Sequence, residues 1–264
     1  MMNNKSRKKN RRNIKILNVM IIICATVAVI CAVFLVKQLL DYKADDDVYK
    51  DAATSYSEEN TTAPADETGN TDVSDSFPEI DFISLTAEAP DVKAWLKIPG
   101  TEINYPVVHT DNDSYYLTHL YNKKAGKAGS LFIEAQNNPD FNDSNTIIYG
   151  HAMNNGSMFA YLLRFRNQDY IDDHPYGYIV TPDVKYRVHF FAAFTASPDE
   201  LGSSTSPWRI DFSGPDDYAS WLSKMASRSD VSSDVSVTSE DRTVTLSTCS
   251  QHGKKRYVVI GRLE

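Results

Sequence analysis

Residues 16–36 carry no charged side chain, and Asn18 and Thr26 are the only clearly polar groups among them. At about 1.5 Å of rise per residue, a helix of this length reaches across a hydrocarbon core of about 30 Å. The flanks favour lipid over a buried core: residues 1–40 hold eight Lys or Arg and no acid, and seven of the eight precede the apolar run. The positive-inside bias then puts residues 1–15 in the cytoplasm and everything after Leu40 outside the cell. A cleaved secretory signal has a shorter apolar core, and no small-x-small site follows this one, so the segment reads as an uncleaved signal-anchor. Bulky Ile23 and Ile30 precede Cys24 and Cys31, so neither thiol is expected to carry a lipid.

Composition then changes twice. Residues 41–76 contain eleven acids against Lys43 and Lys50, with few large apolar groups. Such a stretch buries too little surface to offset the entropy of ordering, and residues 37–76 are expected to be a flexible acidic linker. Residues 77–264 form the third zone, long enough for one substantial core. The whole chain has a net charge of −8, which argues against a nucleic-acid partner, since neutralising phosphates needs a basic face.

Within residues 77–264, short apolar or alternating runs recur between turn signals. Candidate strands are 95–98, 103–108, 130–133, 146–149, 177–181, 186–195, 235–238, 243–248 and 257–263. The pattern predicts a mainly β fold, a closed or nearly closed antiparallel sheet, because a doubly wound sheet needs a helix between most strands. Helices are expected at 82–94, broken by Pro90 into two short pieces, and around the apolar cluster Met158, Phe159, Leu162 and Leu163. The clearest helix is 216–228, where Tyr218, Trp221, Leu222 and Met225 fall at i, i+3, i+4 and i+7. Acids Asp216 and Asp217 open it and basic Lys224 and Arg228 close it, as the helix dipole favours. Its aromatic stripe reads as core packing.

Cys249 is the one cysteine beyond the apolar segment. Exported cysteines normally pair, so three roles are open to it: buried inert thiol, intermolecular bridge or nucleophile. In the run 243–249, Val244 and Leu246 point to one face, and Thr243, Thr245, Ser247 and Cys249 to the other, so Cys249 ends a strand on its more polar side. A second strand begins at Arg256. If the two form a hairpin, Arg256 becomes the cross-strand neighbour of Cys249. There its guanidinium can stabilise an oxyanion, or it can serve as an ordinary surface ion-pair residue. A thiol nucleophile also needs a proton partner. Of the six histidines, His151 has the fitting setting, at the end of the apolar run 146–149 where a strand meets a loop; His252 falls in the presumed turn.

Three motifs, TLSTC (245–249), NTIIYGHAM (145–153) and RYVVIGRL (256–263), stand in an order that strongly resembles the sortases, membrane-anchored cysteine transpeptidases of Gram-positive bacteria. The runs DVKAWLKIPGTEINYPVV (91–108) and GSMFAYL (156–162), with a helix inserted before the last strands, are similar to class B. The resemblance implies a closed β-barrel of about eight strands with N-terminal helices. It implies that Cys249 is the nucleophile, His151 the acid/base partner and Arg256 the oxyanion or substrate-positioning group. Tyr116 and Leu117 would line the groove for the substrate peptide, Ser247 and Thr248 would contribute from the strand leading to the nucleophile, and the Ser250 N–H would help bind the oxyanion. No metal or other cofactor is implied.

The reaction so implied cleaves a C-terminal sorting motif of a secreted protein through a thioester. The acyl group then passes to an amine of a peptidoglycan precursor or a pilin lysine. Two other readings use the same chain differently: a cysteine hydrolase of exported proteins that never ligates, and an anchored binding module with a buried thiol.

Overall fold

The computed structural model describes residues 4–58, 77–249 and 255–264, with Cys249 described by its backbone. The chain divides into two compact units, Met1–Ala44 and Asp45–Glu264.

Helix α1 runs Asn4–Tyr56 and contains the one helix among the described residues long and apolar enough to cross a membrane. Its apolar side chains, Ile22, Val29, Phe34 and Leu39 among them, are more than half exposed, as expected of a surface whose solvent is lipid. The expectation of a flexible spacer over 37–76 fails for its first part. Residues 37–56 continue α1, and Asp45, Tyr49 and Ala52 are buried in the second unit. These three lie at i, i+4 and i+7, a buried face hidden among acids. Residues 59–76 lie outside the described residues.

The second unit opens with a two-stranded ribbon, β1 (Ser57–Glu58) against β2 (Glu79–Ile80), and helix α2 (Phe82–Glu88). Asp81 caps α2 by accepting from the Ser84 N–H. Beyond it eight strands close into a barrel: β3 (Val92–Lys97), β4 (Asn104–Val108), β5 (Leu131–Ile133), β6 (Asn145–His151), β7 (Tyr176–Val180), β8 (Lys185–Ala196), β9 (Arg242–Cys249) and β10 (Arg256–Leu263). Around the barrel the order is β10-β8-β7-β3-β4-β5-β6-β9, and β9 pairs with β10 to close it. Closure leaves no strand edge in this sheet unpaired.

The sheet is mixed, not antiparallel as expected: β4 pairs with β5, and β6 with β9, in parallel. Alternation along a strand specifies which face is buried but is blind to the direction of the neighbour. The expected strand at 235–238 is absent: its residues are irregular, with Ser236 and Thr238 exposed and Val235 and Val237 half-buried. The second helical piece expected after Pro90 is absent too. Asp91 ends a turn there and Val92 begins β3, with Val92, Ala94, Trp95 and Leu96 buried.

Fully buried Trp95, Leu96, Ile147, Ile148, Phe190, Leu246 and Ile260 contribute to the core. Each large side chain of this kind supplies about 1.5–3 kcal/mol of transfer free energy. A 3₁₀ helix, Phe159–Arg166, packs Phe159, Leu162 and Phe165 inward, while Leu163 remains partly exposed. Helix α3 (Gln168–Asp173) follows it, and α4 (Pro215–Ser227) buries Tyr218, Trp221, Leu222 and Met225, the stripe read from the sequence.

Candidate active site

Strands β6 and β9 run side by side in the same direction for seven register steps, from Asn145 opposite Thr243 to His151 opposite Cys249. Two parallel strands that start level end level, so both reach the same rim of the barrel. The alternation then sets Tyr149 and His151 on the face that Ser247 and Cys249 share. On the opposite antiparallel side of β9, β10 pairs Val258 with Ser247. One further step brings the Tyr257 N–H to Thr248, whose Oγ1 accepts it at 2.8 Å. Arg256, the first residue of β10, lies at this same end of the barrel, its guanidinium beside the Tyr149 ring of β6. The rim where β6 and β9 end and β10 begins therefore carries His151, Cys249 and Arg256.

His151 is half-buried, and its Nε2 lies 2.7 Å from the carbonyl oxygen of Leu117. A carbonyl has no proton to give, so Nε2 carries the hydrogen and donates. In the neutral ring Nδ1 is then the free basic nitrogen, the one available for proton exchange. The chain turns sharply beyond it: Ala152 bridges Met158, which adopts φ 55° and donates its N–H to the Tyr105 hydroxyl. Gly150 is required just before, since a Cβ there would collide with Leu131 and Phe159.

Arg256 is half-buried, its guanidinium carbon 5.5 Å from the ring centres of both Tyr149 and Trp208. Contact with two aromatic rings holds the cation at the rim. Among the described residues Arg256 forms no ion pair with a carboxylate, which is unlike a surface ion-pair residue. Trp208 is itself pinned. Its Nε1 donates to the buried Ser247 Oγ at 2.9 Å, and Asn145 Nδ2 donates to the Arg209 carbonyl at 2.9 Å. From α4, Trp221 Nε1 donates to the Ser206 carbonyl at 2.8 Å. The aromatic stripe of α4 thus packs core and also anchors the loop that carries Trp208 to the rim.

Behind Arg256, the Tyr149 hydroxyl donates to Glu134 Oε2 at 2.8 Å. Burial and the Glu134 carboxylate push that phenol well above its usual range, so it remains a donor. Burial first, and then the hydrogen bond to Asp113, raises the Glu134 carboxyl to about 6. Sequence reasoning missed Tyr149, Trp208 and Glu134. Tyr149 alone had a readable signal, lying two residues before His151 on the same strand face.

Other expected site residues fall elsewhere. Tyr116 does not line a surface groove: it is buried, and its hydroxyl donates to Asp91 Oδ2 at 2.8 Å, while its neighbour Tyr115 faces outward stacked on His119. Thr248 is buried on the face opposite Cys249, its hydroxyl occupied by Tyr257. Ser247 shares the Cys249 face, but Trp208 covers it. Leu117 stands at the rim, half-buried, and touches His151 through its carbonyl. Ser250 and His252 lie outside the described residues.

A family model described as the sortase domain matches residues 96–264. The chain belongs to the sortase family, in class B. It is 32% identical to sortase B of Listeria monocytogenes over 86% of this chain and 87% of that one. The structure of a Staphylococcus aureus sortase B–substrate complex matches it with a TM-score of 0.65 at 30% identity, over 69% of this chain and 84% of that one. A sortase B solved in complex with triglycine matches with a TM-score of 0.64 at 31% identity, over 69% and 85%. This sortase is accordingly a cysteine transpeptidase of the cell-wall sorting class, and its closed eight-stranded barrel is the class B fold.

Proposed function

We propose that Cys249 is the nucleophile of the transpeptidation, His151 its acid/base partner and Arg256 the group that binds the developing oxyanion. The observation that carries this is the terminal step of the β6–β9 ladder, His151 opposite Cys249, with Arg256 at the same rim beside Tyr149. His151 Nδ1 takes the proton of the Cys249 thiol, the thiolate so formed attacks a backbone carbonyl of the sorting motif, and the carbonyl oxygen becomes anionic against the Arg256 guanidinium and the Ser250 N–H. As the C–N bond breaks, His151 delivers its Nδ1 proton to the departing amine and a thioester remains. An incoming amine then attacks the thioester and loses its proton to His151, and the thiolate leaves. The side chain of Leu117, beside His151, lines the peptide groove.

The peptide is the C-terminal sorting motif of a secreted protein, and the acceptor is an amine of a peptidoglycan precursor or a pilin lysine. The solved relatives with substrate and with triglycine support a peptide donor and an amine acceptor of this kind. Residues 16–36 anchor the chain in the cell membrane, with residues 1–15 in the cytoplasm and residues 77–264 outside. Both substrates reside at that outer face, so tethering raises their effective concentration.

The test is product identity. The protein incubated with a sorting-motif peptide and a series of amines should give the ligated peptide by mass spectrometry. Hydrolysed peptide alone across the whole series would overturn the transfer step.

A further inference from the structure

The Leu117 carbonyl that holds His151 belongs to a short 3₁₀ turn, Tyr115–Leu117, with no regular element of its own behind it. What supports this turn is the loop 126–130. The Ser130 N–H donates to the Tyr116 carbonyl at 2.9 Å, and the Ser130 hydroxyl donates to the His119 carbonyl at 2.9 Å. Gly129 presses against the same backbone: with φ 57°, a Cβ there would meet the Tyr116 and Leu117 carbonyl oxygens at 2.6 and 2.9 Å. Only glycine allows that approach.

The loop is in turn fastened by the last turns of α1. Tyr49, buried, donates its hydroxyl to the Gly129 carbonyl at 2.5 Å and lies 3.1 Å from Ser130 Oγ. Asp45, also buried, accepts the Ala128 N–H at 3.0 Å. Two polar side chains of one helix thus satisfy three consecutive residues of a loop whose next contacts are the carbonyls of Tyr116 and His119, on either side of Leu117. A buried carboxylate and a buried phenol are costly unless bonded, so the contact has one preferred geometry.

We infer that Tyr49 and Asp45 are positioning residues for the transpeptidation: through residues 128–130 they hold the Leu117 carbonyl at the place where it fixes the tautomer and direction of His151. This rests on the reading of His151 as the acid/base group. It gives the C-terminal turns of α1 a part in the chemistry beyond tethering. A ring swung by about 1 Å at this point costs rate and not affinity, because His151 acts on the transferring proton.

The experiment uses the full chain in detergent and compares Tyr49→Phe with Tyr56→Phe. Tyr56 is a fair control, since its hydroxyl also ties α1 to the barrel unit, at Glu88, but on no path to Leu117. Tyr49→Phe is expected to lower kcat about 5- to 10-fold with KM within about twofold, and to speed solvent exchange of the His151 Nε2 proton in a selectively ¹⁵N-histidine-labelled sample. Tyr56→Phe is expected to leave both readouts at wild-type values. Wild-type kcat and proton exchange in Tyr49→Phe, or equal losses in both variants, would overturn the inference. If Tyr49→Phe is unfolded at the assay temperature, Ser130→Ala is judged by the same two readouts. His151→Gln separates the two levels: retained turnover in that variant defeats the acid/base reading, whereas lost turnover there beside unchanged Tyr49→Phe and Ser130→Ala defeats only the relay.

Discussion

His151 and Cys249 are Cα partners at the last step of a parallel ladder, so the imidazole-bearing and thiol-bearing backbones are held at one pair distance by the strands before them. This places the two groups on rigid elements, where positional error is small. The arrangement predicts that Cys249→Ala abolishes peptide cleavage and that His151→Ala loses at least about 10²-fold in kcat/KM, both with unchanged circular dichroism. Full cleavage by the Cys249 variant would remove it as the nucleophile.

The Arg256 guanidinium carbon lies 5.5 Å from the ring centres of both Tyr149 and Trp208. Lysine keeps the charge but has neither the planar stack nor the forked donors. Arg256→Lys is therefore expected to lose about 10- to 10²-fold in kcat, and Arg256→Ala at least about 10²-fold, in steady-state assays of the ligated product. Turnover near normal in Arg256→Ala would take it out of the site.

Trp208 is held to the rim by one indole hydrogen bond to Ser247. Ser247→Ala leaves that buried N–H without its acceptor, at a cost of about 1–3 kcal/mol. The expected outcome is a lower unfolding temperature together with a several-fold fall in kcat as Arg256 loses part of its support. A stability loss with unaltered kcat would mean that Trp208 packs the barrel without aligning Arg256.

Glu134 makes stability depend on pH in a defined window. Its carboxyl is raised from 4.5 to about 6, by burial and then by Asp113, so between these values the folded protein binds a proton that the unfolded chain releases. Stability from this group is complete below about 4.5 and lost as pH rises through about 6. Glu134→Gln keeps an acceptor for the Tyr149 hydroxyl and removes the titration. Its melting temperature relative to wild type should climb between pH 4.5 and 6 and stay level above; a constant difference across that range would contradict the assignment.

Features that depend on neighbours in sequence were legible in advance. The uncharged run 16–36 and its basic flank follow from composition alone. The stripe Tyr218, Trp221, Leu222 and Met225 is a local helical period, and the faces of β9 follow from alternation. The acidic stretch after residue 40 misled because charge density outweighed a sparse buried face, Asp45, Tyr49 and Ala52.

Local pattern was enough to place the apolar segment, most strands and Cys249 at a strand end, because each rests on a few adjacent side chains. It took the folded barrel to show that β6 and β9 run parallel, that Trp208 and Tyr149 flank Arg256, and that Tyr116 is buried while Tyr115 is not. Those outcomes depend on which strands become neighbours when the barrel closes. That choice is made by the burial and hydrogen-bonding demands of the whole sheet, and no single segment encodes it.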